Sequence, residues 1–187
     1  MIGPEGATKA VAERVADLMP DKLVELRERL ADDKLPEVNS ITAFDDHRIP
    51  MNKWPAIMVV PQDTPKMTMA GTNGVEEKWT PRYVMRAFVW VRGSDQLNVA
   101  LNRYRITLAL REVLLASRVF DQFELDVTTF RESFSDVMDV KNEGTIAGAW
   151  IQFDMTSEET LTTGTALGTV ATADVNTDVI PQHPALS

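Results

Sequence analysis

The chain has 187 residues, 44% of them hydrophobic and 25% charged, a composition typical of one globular domain of ordinary size. It has no cysteine, which excludes disulfides, thiol nucleophiles, thiolate zinc sites and iron–sulfur clusters. A net charge of −9 argues against general binding to nucleic-acid phosphates, and we expect no membrane association, since no apolar run approaches the roughly 18–20 residues that span a bilayer and no signal-peptide pattern opens the chain.

The first 32 residues are predicted to be helical. Apolar residues recur there at helical spacing, Val11, Val15 and Leu18 before Pro20 and Leu23, Leu26 and Leu30 after it. Pro20 removes an amide donor, so it either separates two helices or kinks one. Both alternatives bury the same residues.

A short strand is indicated near Val38, Ile41 and Phe44, and residues 56–60, between two prolines, predict a strand buried on both faces. The sequence Asp45-Asp46-His47 could outline a metal site, but a charged turn is the favoured interpretation because further ligands at suitable positions are missing. Residues 62–78 are polar and predict either a long hairpin turning at Asn73-Gly74 or a binding loop.

Residues 80–92 alternate as a strand with one apolar face and a second face that mixes arginines with aromatic side chains. A helix over residues 96–117, capped by Ser94 or Asp95, follows. Its expected core stripe is Leu97, Leu101, Tyr104, Leu108 and Leu115, widened by Leu110, Val113 and Leu114.

Three further strands are predicted over residues 123–128, 134–140 and 146–157, with the turn Asn142-Glu143-Gly144 before the last. The composition then changes. Residues 161–187 contain no lysine, arginine or aromatic residue, so this segment cannot bury enough apolar surface to order itself alone. We therefore expect one domain over residues 1–160 and an extended tail over 161–187 that neighbouring subunits hold.

Catalytic patterns are weak. There is no phosphate-binding glycine loop and no nucleophile elbow, and the adjacent acids Asp32-Asp33 and Glu158-Glu159 are expected on the solvated surface. The helix arginines Arg103, Arg105 and Arg111 are expected to pair with acids of a neighbouring subunit rather than with phosphates. Contact residues are predicted at Met67, Met69, Trp79, Arg86, Trp90, Arg103 and Arg105.

Three segments carry a resemblance to a known family. They are WPAIMVVP at residues 54–61, YRITLAL at 104–110 and AGAWIQFDM at 147–155. Together with the order of the elements over about residues 5–160, they resemble the tail terminator proteins of long-tailed, siphovirus-like bacteriophages. The resemblance implies an α+β fold, mainly an antiparallel sheet packed by one long helix and the N-terminal helices.

It also implies a structural protein of the virion, without catalytic residues, metal or cofactor. In that family a ring of six subunits caps the tail tube, stops its polymerisation and joins it to the neck or head-closure proteins at the tail–neck junction, after synthesis in the host cytoplasm. DNA passes through the ring. An acidic lumen would let DNA slide, and we expect Glu124, Asp126, Asp154 and Glu158 to line it. Other connector proteins, a tail tube subunit, a ligand-binding module or an unrecognised enzyme remain alternatives.

Overall fold

The computed structural model describes residues 3–44, 51–72, 76–141 and 144–162, which form an α+β fold. The turn predicted at residues 45–47, the turn at Asn73-Gly74 and residues 163–187 lie outside the described residues. The helices are α1 (Gly3–Leu30) and α2 (Gln96–Ala116), with a short 3-10 turn at Met51–Lys53. The strands are β1 (Ser40–Ala43), β2 (Ala56–Thr72), β3 (Glu76–Gly93), β4 (Val119–Phe120), β5 (Phe123–Phe134), β6 (Met138–Val140), β7 (Gly144–Thr156) and β8 (Glu159–Thr162).

The strands form one sheet in the order β1-β2-β3-β7-β5-β4, with β6 paired to β7 and β8 paired to β3. Only the β1–β2 pairing is parallel among those described. The strands predicted at residues 56–60, 80–92 and 123–128 are confirmed as parts of longer strands. The strand predicted at 146–157 is confirmed except at its end, because β7 ends one residue earlier, at Thr156. The strand predicted over 134–140 is wrong in its bounds, because β5 ends at Phe134 and β6 begins at Met138.

Both helices pack on one side of the sheet, here called the inner face. Along β3 the predicted apolar face is confirmed, with Tyr83, Met85, Ala87, Val89 and Val91 all buried in the core. The α1 residues of the core are Ala7, Val11, Ala12, Val15, Met19, Leu23 and Leu26. Of the two alternatives at Pro20, one helix is the one observed, because α1 runs through it without a break.

The second helix is where predicted, and its buried face is predicted in part. Asp95 is its N-cap and accepts a hydrogen bond from the Asn98 amide at 2.8 Å. The three residues that widen the expected stripe are confirmed as core, namely Leu110, Val113 and Leu114. The stripe itself is wrong for Leu97, Leu101, Tyr104 and Leu115, which are exposed, while Leu108 is half-buried. Buried residues that were not predicted, Val99, Arg103 and Ile106, each follow a stripe residue by two positions and so lie about 200° around the helix. This part of the prediction failed because α2 is apolar on two opposite sides.

Residues 62–72 and 76–78 form the two paired strands of a hairpin, which was one of the two alternatives predicted. Strands β2 and β3 stay paired outward to Thr72 and Glu77, with three irregularities in register. Strand β8 adds to this extension, since its residues Glu159 to Thr162 pair with Trp79 to Glu76. The first two residues of the predicted tail therefore pair with their own chain.

Candidate assembly surfaces

The face of the sheet opposite the helices, here called the outer face, carries no helix in the described part of the chain. Its centre is apolar and aromatic, because Met58, Phe88 and Trp150 are side by side on three neighbouring strands. Phe88 and Trp90 stack with ring centroids 6.3 Å apart, and Trp54 lies 5.8 Å from Trp90. The predicted contact residue Trp90 is thus half-buried on an open face rather than in the core.

Arg86 extends across these rings. Its guanidinium carbon lies 4.4 Å from the centroid of Trp150 and 5.8 Å from that of Phe88, within the range of a cation–π contact. Its Nη2 donates to Gln152 Oε1 at 2.8 Å. The buried Nε has no hydrogen-bond partner among the described residues. The sheet therefore holds one positive charge flat against its aromatic centre.

Two depressions flank the Phe88–Trp90 pair. One, of about 520 Å³, lies towards β2 and is lined by Phe44, Met58, Val60, Pro61, Gln62, Phe88 and Trp90. The other, of about 280 Å³, lies towards β5 and includes Ser133, Gly148 and Trp150 in its lining. Both are open and mostly apolar, which suits them to side chains of another protein surface.

The hairpin brings the predicted contact residues Met67, Met69 and Trp79 together. Met69 is paired with Trp79 and Met67 with Pro81, so these side chains share one face. Both methionines are 48% exposed. Trp79 is half-buried, and its Nε1 donates to Glu77 Oε2 at 3.1 Å. The hairpin therefore presents flexible apolar side chains away from the main core.

The predicted arginines of α2 have partners inside the subunit. Arg103 is only 3% exposed, donates to the Ser135 carbonyl and lies 4.4 Å from the Tyr104 ring centroid. Arg105 forms an ion pair with Asp32. Arg111 pairs with Glu132, with the nitrogen and oxygen 3.3 Å apart. The charges of Arg105 and Arg111 are thus paired with acids of their own chain, whereas Arg103 contacts a carbonyl and aromatic rings. The part of Arg103 and Arg105 in a subunit contact stays a prediction.

The four predicted lumen acids do not share one environment. Glu124, Asp126 and Glu158 are exposed. The Thr128 hydroxyl and amide donate to Asp126 and hold the pKa of its carboxyl below the usual range, so it stays ionised. Asp154 instead is 4% exposed and accepts from Arg82 Nε at 2.5 Å. Its charge is neutralised within the subunit, and the location of all four relative to a ring stays a prediction.

One buried carboxylate was not predicted from the sequence. Glu159 is 7% exposed, so the expectation of a solvated Glu158-Glu159 pair is wrong for its second member. It accepts hydrogen bonds from the Tyr83 hydroxyl at 2.5 Å, the Gly3 amide at 2.9 Å and the Ser157 hydroxyl at 3.1 Å. Burial, together with this carboxylate, raises the pKa of Tyr83. Adjacent side chains of an extended segment point to opposite sides, so Glu158 and Glu159 are separated. Which of the two is buried depends on tertiary packing.

Outside these surfaces, an open cleft of about 400 Å³ lies between α1 and β4, lined by Gly6, Lys9, Ala10, Glu13, Arg14, Asp17, Phe120 and Asp121. No group of three or more histidine, aspartate or glutamate side chains is arranged to hold a metal ion within the described residues. Neither α1 nor α2, the helices of the described chain, is long and apolar enough to cross a membrane.

Comparisons with known proteins give little. No family model matches the chain, and no curated protein matches it. Among solved structures, a chain of the virion of a native gene transfer agent (GTA) particle is similar to it, at 11% identity and a TM-score of 0.32. The match covers 80% of this chain and 98% of that chain. A likeness of this size does not establish a shared fold or function.

Proposed function

We propose that this chain is a structural protein of a bacteriophage-like virion, and specifically a tail terminator. Six copies form a ring that caps the tail tube, ends its polymerisation and joins it to the neck or head-closure protein. The observation that carries the proposal is the outer face, which no helix covers in the described residues. There Arg86 lies over the rings of Phe88 and Trp150, and Trp90 stacks on Phe88. Contiguous apolar surfaces on small domains mark protein–protein contacts, and tryptophan and arginine are enriched in them.

The hairpin supports contact with a second partner. Met67 and Met69 expose apolar surface on an arm formed by β2, β3 and β8. Methionine adapts to irregular surfaces, which suits a subunit that must fit a tube on one side and a neck on the other. We assign the tube or neck contact to this arm.

DNA passes the ring without specific binding in this proposal. The exposed carboxylates of Glu124, Asp126 and Glu158 would repel phosphates if they lie on the lumen wall, which favours sliding over attachment. The paired Asp154 adds no net charge to such a wall. We propose no catalytic activity and no cofactor for the chain, and place it at the tail–neck junction after synthesis in the host cytoplasm.

Electron microscopy of particles made without this chain tests the proposal. Overlong tubes that are not joined to filled heads are the expected result, because nothing then ends tube growth. Tails of normal length beside leaking or unjoined heads would instead assign the chain to the neck. Shortage of tubes altogether would make it a tube subunit, and intact particles would contradict every assembly role.

The hairpin assignment has its own test. A double variant, Met67→Ser with Met69→Ser, should fold normally but cap tubes poorly, because both side chains are half-exposed in the subunit. The matched control is Val119→Ser, which changes a 58% exposed apolar residue elsewhere. Deleting residues 64–74 is the stronger perturbation. Normal capping by a folded deletion variant would show that the hairpin is not needed.

A further inference from the structure

We infer that the ring contact is heterologous: the exposed stripe of α2 in one subunit packs onto the outer face of the next. The α2 stripe is Leu97, Leu101, Tyr104, Leu108 and Leu115. This inference deepens the proposed function by naming the two surfaces, and it rests on that function only for closure into a ring.

The spacing of the α2 stripe points to packing against another protein surface. From Leu97 the steps to Leu101, Tyr104 and Leu108 are four, three and four residues, the spacing of a helix seam that inserts side chains into a facing surface. In the subunit four residues of this stripe are exposed, whereas Leu108 is half-buried and packs against the core. The exposed residues are Leu97, Leu101, Tyr104 and Leu115. Its apolar surface is continued by Phe134 and Met138, which are also exposed.

The two surfaces complement each other in shape. The α2 stripe is a convex ridge of side chains, and the outer face is recessed on both sides of Phe88 and Trp90, with depressions of about 520 and 280 Å³. Neither surface complements itself. Two α2 stripes packed together, or two outer faces packed together, would leave voids between the subunits.

The two surfaces also complement each other in charge. Exposed acids border the N-terminal half of the α2 stripe, namely Asp95, Asp136 and Asp139. Hydrogen bonds from Thr145 and Gln96 lower the pKa of Asp139, so it stays charged. The aromatic centre of the outer face carries Arg86, and Arg131 is exposed on β5 beside Gln152. The acids Asp126 and Asp154 lie further along the same face, where Asp154 is paired with Arg82. The acids beside the α2 stripe therefore complement the aromatic centre, and we assign that centre to a second copy of this chain.

The helices lie on the inner side of the sheet, so the two surfaces lie on opposite sides of the subunit. A contact between unlike patches on opposite sides repeats from copy to copy and either closes as a ring or continues as a filament. A two-fold pairing through α2 alone would stop at a dimer.

Cross-linking tests the contact cleanly, because the chain has no cysteine of its own. One variant carries Leu101→Cys on the α2 stripe and another carries Ser133→Cys on the outer face, a near-isosteric change. Mixed in equal amounts at high protein concentration and treated with a short bis-maleimide, they should give a cross-link between the two variants. A control mixture of Asp33→Cys with Ser133→Cys, in which the exposed Asp33 lies outside both surfaces, should give none.

Self-association provides the second readout. Leu97→Ser should weaken association by about 10- to 150-fold in sedimentation, because it removes a leucine that the contact would bury. Val24→Ser, a 48% exposed site on α1, should leave association unchanged.

Cross-links only between two copies of Leu101→Cys would overturn the inference in favour of a two-fold helix pair. If the mixed cross-link is absent both in solution and in assembled particles, the inference is wrong. A mixed cross-link from a chain whose loss leaves tails intact would keep the contact and refute the terminator function.

Discussion

The hydrogen bond between Tyr83 and Glu159 links β3 to β8 and makes a sharp test of the packing at that corner. Replacing Tyr83 with phenylalanine removes only the hydroxyl oxygen and leaves a 7% exposed carboxylate with two donors instead of three, Gly3 N and the Ser157 hydroxyl. A hydrogen bond to a charged group contributes about 1.5–3 kcal/mol, so we expect the free energy of unfolding to fall by about 2 kcal/mol. For a domain of this size the melting temperature should fall by about 4–8 °C.

The chain offers a matched control, since its only other tyrosine is Tyr104. Tyr104→Phe is the same chemical change on a side chain that is 48% exposed, and should alter stability by less than about 0.5 kcal/mol. Urea unfolding followed by tryptophan fluorescence measures both, with calorimetry for the melting temperature. Equal stability of the two variants would refute the assignment of a stabilising buried hydrogen bond to Glu159.

The same pair predicts a pH effect. The pKa of Tyr83 is raised in the folded chain above its ordinary value near 10, so the folded state holds this proton more tightly than the unfolded state does. That contribution is complete below about pH 10 and is lost as the pH rises further. Wild-type stability should therefore fall more steeply than that of Tyr83→Phe in the alkaline range, and parallel curves would contradict the shift.

Three other substitutions test separate features by urea or thermal unfolding. Asp95→Ala should cost about 1 kcal/mol because it removes the N-cap of α2, and no change would mean that the cap is dispensable. Gly144→Ala should cost about 1–3 kcal/mol, since this residue has φ of +84° and an added Cβ would lie 2.8 Å from the Gly93 carbonyl oxygen; unchanged melting would contradict that strain. Glu112→Gln should make the free energy of unfolding depend less on pH at acidic pH. The hydrogen bond from Arg29 lowers the pKa of Glu112, so the stability that this carboxylate contributes is lost as the pH falls below about 4.5. The same dependence on acidic pH in both proteins would show that this ion pair adds no stability.

Strand β3 shows what the sequence can determine. Its odd-numbered positions from Tyr83 to Val91 are apolar and its even-numbered positions mix arginine with aromatic residues, and the structure buries the first set under the helices. Side chains alternate along a strand, so only one face of β3 can pack against the helices. Packing the other face there would bury Arg86 and expose Met85. The sequence also indicated that the second face would be partly exposed, as Arg86 and Trp90 are.

Contacts between residues far apart in the sequence could not be predicted from local patterns. Both acids at 158 and 159 were expected on the surface, where adjacent charged residues usually lie. Strand β8 instead pairs with β3, and Glu159 accepts a hydrogen bond from the Tyr83 hydroxyl. Likewise the arginines of α2 looked available to a partner, and Arg105 instead meets Asp32 at the end of α1. Contacts between residues about 70 positions apart depend on the register of the whole sheet, which no local pattern encodes.

The buried face of α2 was predicted only in part, for a different reason. Leu110, Val113 and Leu114 are buried as expected, but Leu97 and Tyr104 are exposed. Two apolar stripes lie on opposite sides of this helix, and the one with the more regular spacing, through Leu101 and Tyr104, is the one that the subunit leaves exposed. The spacing of apolar residues along a helix does not distinguish a face that packs in its own chain from one that packs against another. Burial in the subunit does not explain the regular spacing of Leu97, Leu101 and Tyr104, because these side chains are exposed. That spacing is therefore the observation that supports our proposal of a contact between α2 and the next subunit.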